Sequence, residues 1–258
     1  MTAPLRLATH APTSRSKIRL GMAQLSPWGL AEQWVLRELG DRHWSLIADA
    51  VGQAGTAFHD AEGHPVYAAF CATSVAFAPA TAPLLGTELE ILSRLAAVGP
   101  NRLGSVHSLQ GATGALGQVL MISCFLRHDA TRANHRLLRS SLPGLGPLPL
   151  ACDALAALNA RARTMARRAR DLSPRRAELL RTTPLPALDF NAAGLLYFPT
   201  FSKIAEMAQP SNGPLARRDI TYLGNLNPGD PIAVHTDTGD LILSSGPRTL
   251  AVIQTDAL

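Results

Sequence analysis

The stretch LDFNAAGLLYFPTFSKIAEMA, residues 188–208, places an acid, an amide, two small residues and a glycine directly ahead of large apolar side chains. The acid and amide suit the start of a helix, where the first backbone N–H groups have no partner within the helix. Leu195, Leu196, Tyr197, Phe198, Phe201 and Ile204 then predict a helix that is apolar over much of its circumference, one that packs against something on most sides. Upstream, LRTTPLPA supplies a short segment and a proline break. Downstream, the RRDITYLGNLNPGDPIAVHTDTGDLILSSGPRTLAVIQTD stretch reads as strands divided by turns at Asn227-Pro-Gly-Asp and Thr238-Gly-Asp.

The same order occurs once before. IRLGMAQLSPWGLAEQWVLRELGDRHWSLIADAV gives a short apolar segment, a Pro/Gly break and a helix from about Gly29, with Gly40 and Asp41 expected to end one helix and cap another. VYAAFCATSVAFAP follows as a strand, TELEILSRLAAVG is of open type, and GSVHSL and ALGQVLMISCFLRH read as strands. Gly29-Leu30 aligns with Gly194-Leu195 at the two helix starts. A helix and an antiparallel meander, given twice, predict an α+β fold in which each sheet wraps one long helix. That is a double hot-dog. The expected division is a loose tail over 1–16, a first hot-dog over 17–130, a linker with an arginine-rich amphipathic helix over 131–182, and a second hot-dog over 183–258.

Composition agrees with a globular chain. Its 258 residues are 47% hydrophobic and 17% charged, enough for a sizeable core. Two uncharged stretches, Gly63 to Thr87 and Leu103 to Leu126, are long enough to test as membrane spans, but prolines interrupt the first and polar residues and spaced glycines the second. The three cysteines form neither a CxxC pair nor an even set, so a reducing cytoplasm is the expected compartment and a disulfide framework is not. No HExxH or paired CxxC pattern points to a metal, and no GxSxG elbow, P-loop or dinucleotide fingerprint is present. No metal and no cofactor is expected.

Between Arg127 and Arg181 stand twelve arginines, no lysine and four acids, a surplus of eight on a chain whose net charge is +5, so the remainder is net acidic. Leu155, Leu158, Ala162, Met165 and Ala169 repeat at helical spacing behind a possible N-cap at Asp153, giving a helix with an arginine-rich outer face. Such a face is either a solvated surface or an anion-binding one that suits phosphates. With no helix-turn-helix, zinc finger or aromatic-rich sheet signature beside it, neither a nucleic acid nor a membrane partner is expected.

GMAQLSPWGLAEQWVLRELGDRHW (21–44), DFNAAGLLYFPTFSKIAEMA (189–208) and RRDITYLGNLNPGD (217–230) together resemble the family of double hot-dog proteins that includes the bifunctional acyltransferase/decarboxylase of leinamycin biosynthesis and its relatives in polyketide clusters. The resemblance spans roughly Lys17 to the C-terminus by order of motifs. It implies action on acyl thioesters: taking methylmalonyl from coenzyme A, decarboxylating it and delivering propionyl to an acyl carrier protein. Coenzyme A or phosphopantetheine then enters as the carrier of the substrate.

The resemblance also implies a tyrosine nucleophile on the first hot-dog, for which Tyr67 in EGHPVYAAFCATSV is the candidate, with His64 near it in sequence. A phenol with a pKa of about 10 needs activation to attack; otherwise Tyr67 simply packs its ring in a strand. Asp189 and Asn191 have two compatible roles. They cap the helix, or the same N–H groups face a thioester carbonyl while Asn191 orients the acyl group and Asp189 serves as base. Gly194, His107, Arg217 and Arg218 complete the expected substrate-binding set. His107 has the alternative of a hydrogen-bonded core histidine, and His43 and Trp44 are expected to cap and pack. Two other functions stay open: a hot-dog thioesterase or dehydratase on acyl-CoA or acyl carrier protein, and a noncatalytic carrier-protein docking module. A monomer or a homodimer is expected.

Overall fold

The computed structural model describes residues 11–169 and 177–257. Its main sheet is built from β1 (Thr13–Arg19), β2 (Pro65–Phe77), β3 (Glu88–Gly99), β4 (Arg102–Gly111), β5 (Gly114–His128), β6 (Glu178–Thr182), β7 (Leu215–Tyr222), β8 (Ile232–Asp237), β9 (Asp240–Ser245) and β10 (Arg248–Ala257). In space the order is β1-β3-β4-β5-β2-β7-β10-β9-β8-β6, with antiparallel neighbours throughout. Read from its own edge, each half has the same plan: 1-3-4-5-2 in the first and 6-8-9-10-7 in the second. The halves join where β2 pairs β7, from Ala76↔Arg217 to Ala72↔Thr221. The repeated segment order therefore comes from one supersecondary unit used twice.

Each half has a helix between its first two strands: α1 (Glu32–Ala50) in the first half and, in the second, a helix over Pro199–Ala208. An outer helix, α2 (Asp153–Arg168), lies between them in sequence, so Pro199–Ala208 is α3. Val35, Leu36, Leu39, His43, Leu46 and Ile47 give α1 a buried stripe at helical spacing. The core around α3 joins Leu196, Phe201, Ile204 and Ala205 to Ile220, Val234, Leu243 and Ile253 of its sheet. On the opposite face, Leu155, Leu158 and Ala162 of α2 pack on Ala72, Val106, Leu120 and Ile122. Ala169, just past α2, reaches Ile242 and Val252 of the second half. The outer helix thus straps the join, and its expected apolar positions are the ones that pack.

Several boundaries differ from expectation. β1 begins at Thr13, within the presumed 1–16 tail, because TSRSKIR alternates exposed and half-buried residues along β3 as an edge strand. β6 lies inside the presumed 131–182 linker for the same reason, pairing β8 at the other edge. TELEILSRLAAVG is strand β3. Gly40 and Asp41 do not break α1, which runs unbroken through them. A Cβ on Gly40 would lie 2.8 Å from the Phe198 ring, so this glycine lets the helix approach that ring. Neither helix starts at its aligned glycine: Gly29 (φ +124°) and Gly194 (φ +73°) turn the chain before α1 and α3 begin at Glu32 and Pro199. Pro199 suits a first helical position, where a missing N–H loses nothing. Leu195 to Phe198 therefore precede α3 as irregular chain. Asp153 is the first residue of α2, and the cap position belongs to Cys152. Arg170, Asp171, Arg175 and Arg176 of the arginine-rich stretch lie outside the described residues, as do residues 1–10 of the presumed tail.

Candidate active site

Tyr67 near the start of β2 lies opposite Leu126 of β5, which puts its ring beside His128 at the end of that strand. The rings meet edge to face at 5.4 Å, and the Tyr67 hydroxyl is 3.3 Å from His128 Nδ1. On the far side, His128 Nε2 is 3.0 Å from Asn134 Oδ1. Asn134 is 6% exposed, and its amide nitrogen donates to the carbonyls of Gly194 (2.6 Å) and Leu226 (2.9 Å). Two carbonyl acceptors fix that amide, so its oxygen must face His128. His128 Nε2 therefore carries the proton and donates to Asn134, leaving the Nδ1 lone pair to accept from the Tyr67 hydroxyl. A hydroxyl, an imidazole nitrogen toward it, and a group holding the tautomer stand in the order that a nucleophile–base–orienter arrangement requires.

Local chemistry holds this chain in place. Asp129 Oδ1 accepts from the Thr131 backbone N–H and hydroxyl, and Asp129 pairs with Arg136 at 3.1 Å, so the segment after β5 turns tightly. The Asn134 N–H donates to Asn227 Oδ1, tying that segment to the loop after β7. His128 and Asn134 were not singled out in the sequence. Their only signal was nearness to the end of a strand, and the β2–β5 register that aligns them with Tyr67 is a tertiary property.

The remaining predicted residues occupy other roles. Asp189 does not cap α3: Oδ2 accepts from the Leu185 N–H at 2.9 Å, and Oδ1 pairs with Lys203. With both oxygens engaged and the residue 4% exposed, its carboxylate braces the α3 lead-in and stands bonded where a base would need a free oxygen. Asn191 also leaves α3 uncapped, since its Oδ1 accepts from the N–H groups of Ala193 and Leu195 within its own turn. Gly194 joins the site through its carbonyl. His64 has a 55% exposed side chain whose Nδ1 lies 3.2 Å from Asp60. Among the described residues, Asp60, Glu62 and His64 bring three donor atoms within 4.8 Å, a spacing that admits a cation, although Asp60 already accepts from two backbone N–H groups.

His107 takes the place of a hydrogen-bonded core histidine. It is fully buried in the hydrogen-bonded chain Ser93–His107–Ser105–His43–Ser123, whose four links measure 2.7–2.8 Å, and burial lowers its pKa. His43, expected to cap, is its partner in this core, and burial pushes its pKa down to about 3. Arg217 pairs with Asp219 on its own strand. Arg218 is buried, donating to Glu32 at 2.5 Å, Glu206 at 2.9 Å and Ser202 at 3.1 Å, so it clamps α1 to α3. On the strap, Arg161 pairs with Asp219, and Arg168 with Asp237 and Asp240; this part of the basic face is neutralised by acids of the second half.

No protein-family model matches the chain, and no curated protein matches its sequence. Solved structures do match in shape. An acyl-ACP thioesterase from Bacteroides thetaiotaomicron is 8% identical, with 95% of this chain and 97% of that one covered and a TM-score of 0.66. A 12:0-ACP thioesterase from Umbellularia californica is 13% identical, with 96% and 97% covered and a TM-score of 0.64. At such identities the likeness defines the fold: this chain is an α+β double hot-dog. Among the described residues, no helix is long and apolar enough to cross a membrane.

Proposed function

We propose that the protein cleaves acyl thioesters of coenzyme A or acyl carrier protein at Tyr67, with hydrolysis as the outcome. The observation that carries this reading is the Tyr67–His128–Asn134 chain, whose hydrogen-bond order lets His128 Nδ1 accept from the phenol. As the phenol oxygen bonds to the thioester carbonyl carbon, its proton passes to Nδ1; the carbon–sulfur bond then breaks and the thiolate takes that proton. A phenol is a good leaving group, so the resulting aryl ester is open to water, which gives its own proton to Nδ1 as it attacks; the bond to the Tyr67 oxygen then breaks, the free acid departs and the phenolate takes the proton from Nδ1. Asn134 keeps the imidazole in the productive tautomer throughout. The acyl-ACP thioesterases of the same fold support hydrolysis over transfer.

A second reading keeps the same intermediate and passes the acyl group to the thiol of an acyl carrier protein. The tyrosine nucleophile and the motif resemblance favour it, and decarboxylation of a (methyl)malonyl group rests on the resemblance alone. Intact-protein mass spectrometry with methylmalonyl-CoA and a panel of saturated acyl-CoAs, with and without a carrier protein, separates the two. An acyl adduct on Tyr67 with free acid as product supports hydrolysis, and propionyl or acyl carrier protein supports transfer. Full turnover by Tyr67→Phe would overturn both.

A further inference from the structure

Two of the three cysteines, distant in sequence, meet on the outer face of the first half. Cys124 of β5 stands opposite Ala69 of β2 on one side and Arg102 of β4 on the other. Along β2 the ladder skips a residue: Phe70 pairs Ser123 and Ala72 pairs Ile122, so Cys71 is the extra residue of a β-bulge. Alternation from Ala69 puts the Cys71 side chain on the Cys124 side of the sheet. There it packs against the cluster of Ala72, Val106 and Leu155, and its thiol is hydrogen-bonded to the Cys124 sulfur. Both cysteines are part-exposed and in no disulfide.

That hydrogen bond has a direction. It raises the pKa of Cys71, which keeps its proton and donates, and it lowers the pKa of Cys124 against the opposing effect of burial. Arg102 and Arg139 add their positive charge in favour of the Cys124 thiolate. Arg102 is the direct cross-strand neighbour of Cys124, and Asn159 of α2 steadies its guanidinium at 2.6 Å. Arg139, on the short strand Leu137–Arg139, lies opposite Leu126, the next residue of β5 on the Cys124 face. A part-exposed thiolate beside positive charge is the form of cysteine that oxidants attack, and a second thiol against it can resolve the product.

We propose that Cys71 and Cys124 are a hydroperoxide-reactive dithiol, oxidised reversibly to a disulfide between β2 and β5. The Cys124 sulfur attacks the terminal peroxide oxygen and the O–O bond breaks. Cys124 becomes the sulfenic acid, and the departing alkoxide, or hydroxide from hydrogen peroxide, takes a proton from water. The Cys71 sulfur then attacks the Cys124 sulfur, the S–O bond breaks, and the leaving hydroxide takes the Cys71 proton to form water. The two thiols lose two electrons, and the peroxide is reduced to an alcohol and water. The bulge interrupts the ladder beside Cys71, which gives β2 the local freedom to bring the sulfurs to bonding distance. This inference is independent of the acyl-thioester reading.

The test is oxidation of the folded full chain by equimolar hydrogen peroxide, followed by alkylation, digestion without reductant and mass spectrometry. The wild-type protein should give a Cys71–Cys124 disulfide that dithiothreitol reverses, while the urea-unfolded chain should also form pairs with Cys152. Cys152→Ser removes the exposed third thiol, and serine suits that cap position of α2. In this background Cys124 should react about threefold faster than free cysteine at pH 7, its larger thiolate fraction being partly offset by lower nucleophilicity. Adding Cys71→Ser should stop the reaction at a Cys124 sulfenic acid that dimedone captures, and adding Cys124→Ser should leave Cys71 reduced over the same time. The wild-type measurement needs neither serine variant to fold. Absence of the Cys71–Cys124 disulfide from the oxidised folded protein overturns the proposal, as does pairing of Cys152 with either residue in the folded chain, or undiminished oxidation of Cys71 in Cys124→Ser.

Discussion

The two halves share a strand order, yet the chain approaches their helices in opposite ways. Before α1, a short ribbon of Leu25–Ser26 against Gly29–Leu30 opens onto an apolar cleft walled by Trp28, Leu84 and Met207. Before α3, side chains occupy the polar backbone: Asn191 and Asn225 accept from Ala193, Leu195 and Leu196, Asp189 braces Leu185 and Lys203, and Asn134 reaches Gly194 from the first half. Duplication sets where two such lead-ins fall. A handful of polar residues then makes one a held polar chain and the other an open cleft.

Removing the chemistry at the α3 side is the most severe test of this contrast. Tyr67→Phe and His128→Gln are each expected to lower kcat by about 10²–10⁴-fold while Tm changes little, since both side chains sit at a half-buried rim. Steady-state kinetics beside thermal melts checks this. Unaltered kcat in both variants would erase the functional difference between the two lead-ins.

The cores contrast as well, and acid should expose it. His43 and His107 are buried and neutral in the first half, while the buried polar side chains around α3 are Asp189, Thr200, Ser202 and Arg218. Their folded pKa values are depressed, so the stability they confer is complete above the unfolded value of about 6.5 and lost as pH falls, for His43 down to about 3. Each histidine contributes a slope of about 1.4 kcal/mol per pH unit within its window. Urea unfolding at pH 7, 6, 5 and 4 measures this, and a flat stability between pH 6.5 and 4 would contradict it.

A smaller effect sits where the halves touch. Gly40→Ala pushes a methyl into the buried Phe198 ring, which already packs 4.3 Å from Phe70. The expected loss is about 1–3 kcal/mol in urea unfolding, and a neutral result would mean the ring can step aside. The smallest change belongs to the strap: Arg161→Ala should cost about 0.2–1 kcal/mol, fading at high salt, because its pair with Asp219 is half exposed.

Much of the architecture was legible. Strand β2 could be read from its β-branched and aromatic run, α1 and α2 from apolar spacing, and the duplication from two Pro/Gly breaks that each precede a helix. The edge strands β1 and β6 were not, because TSRSKIR and ELLRT bury one face only partly and carry the polar residues typical of edges. In the candidate site, Tyr67 was singled out through the motif resemblance and Gly194 by its place before the apolar run, whereas His128 and Asn134 lie 61 and 67 positions beyond Tyr67 with no motif linking them. Asp189 and Asn191 were read as caps because sequence distance favours the nearest unpaired N–H groups. Once folded, the turn they occupy offers closer donors.

By itself the sequence determined the class of this protein: apolar periodicities and turn residues are local, and two copies of one pattern specify a duplicated α+β unit. Tertiary structure decided the hydrogen bonding of the candidate site. Which imidazole nitrogen of His128 meets Tyr67, which oxygen of Glu32 accepts from Arg218, and that His107 is core all depend on strand register and on groups far apart in the chain. Hydrogen-bond direction and burial belong to the assembled neighbourhood, and no single segment carries them.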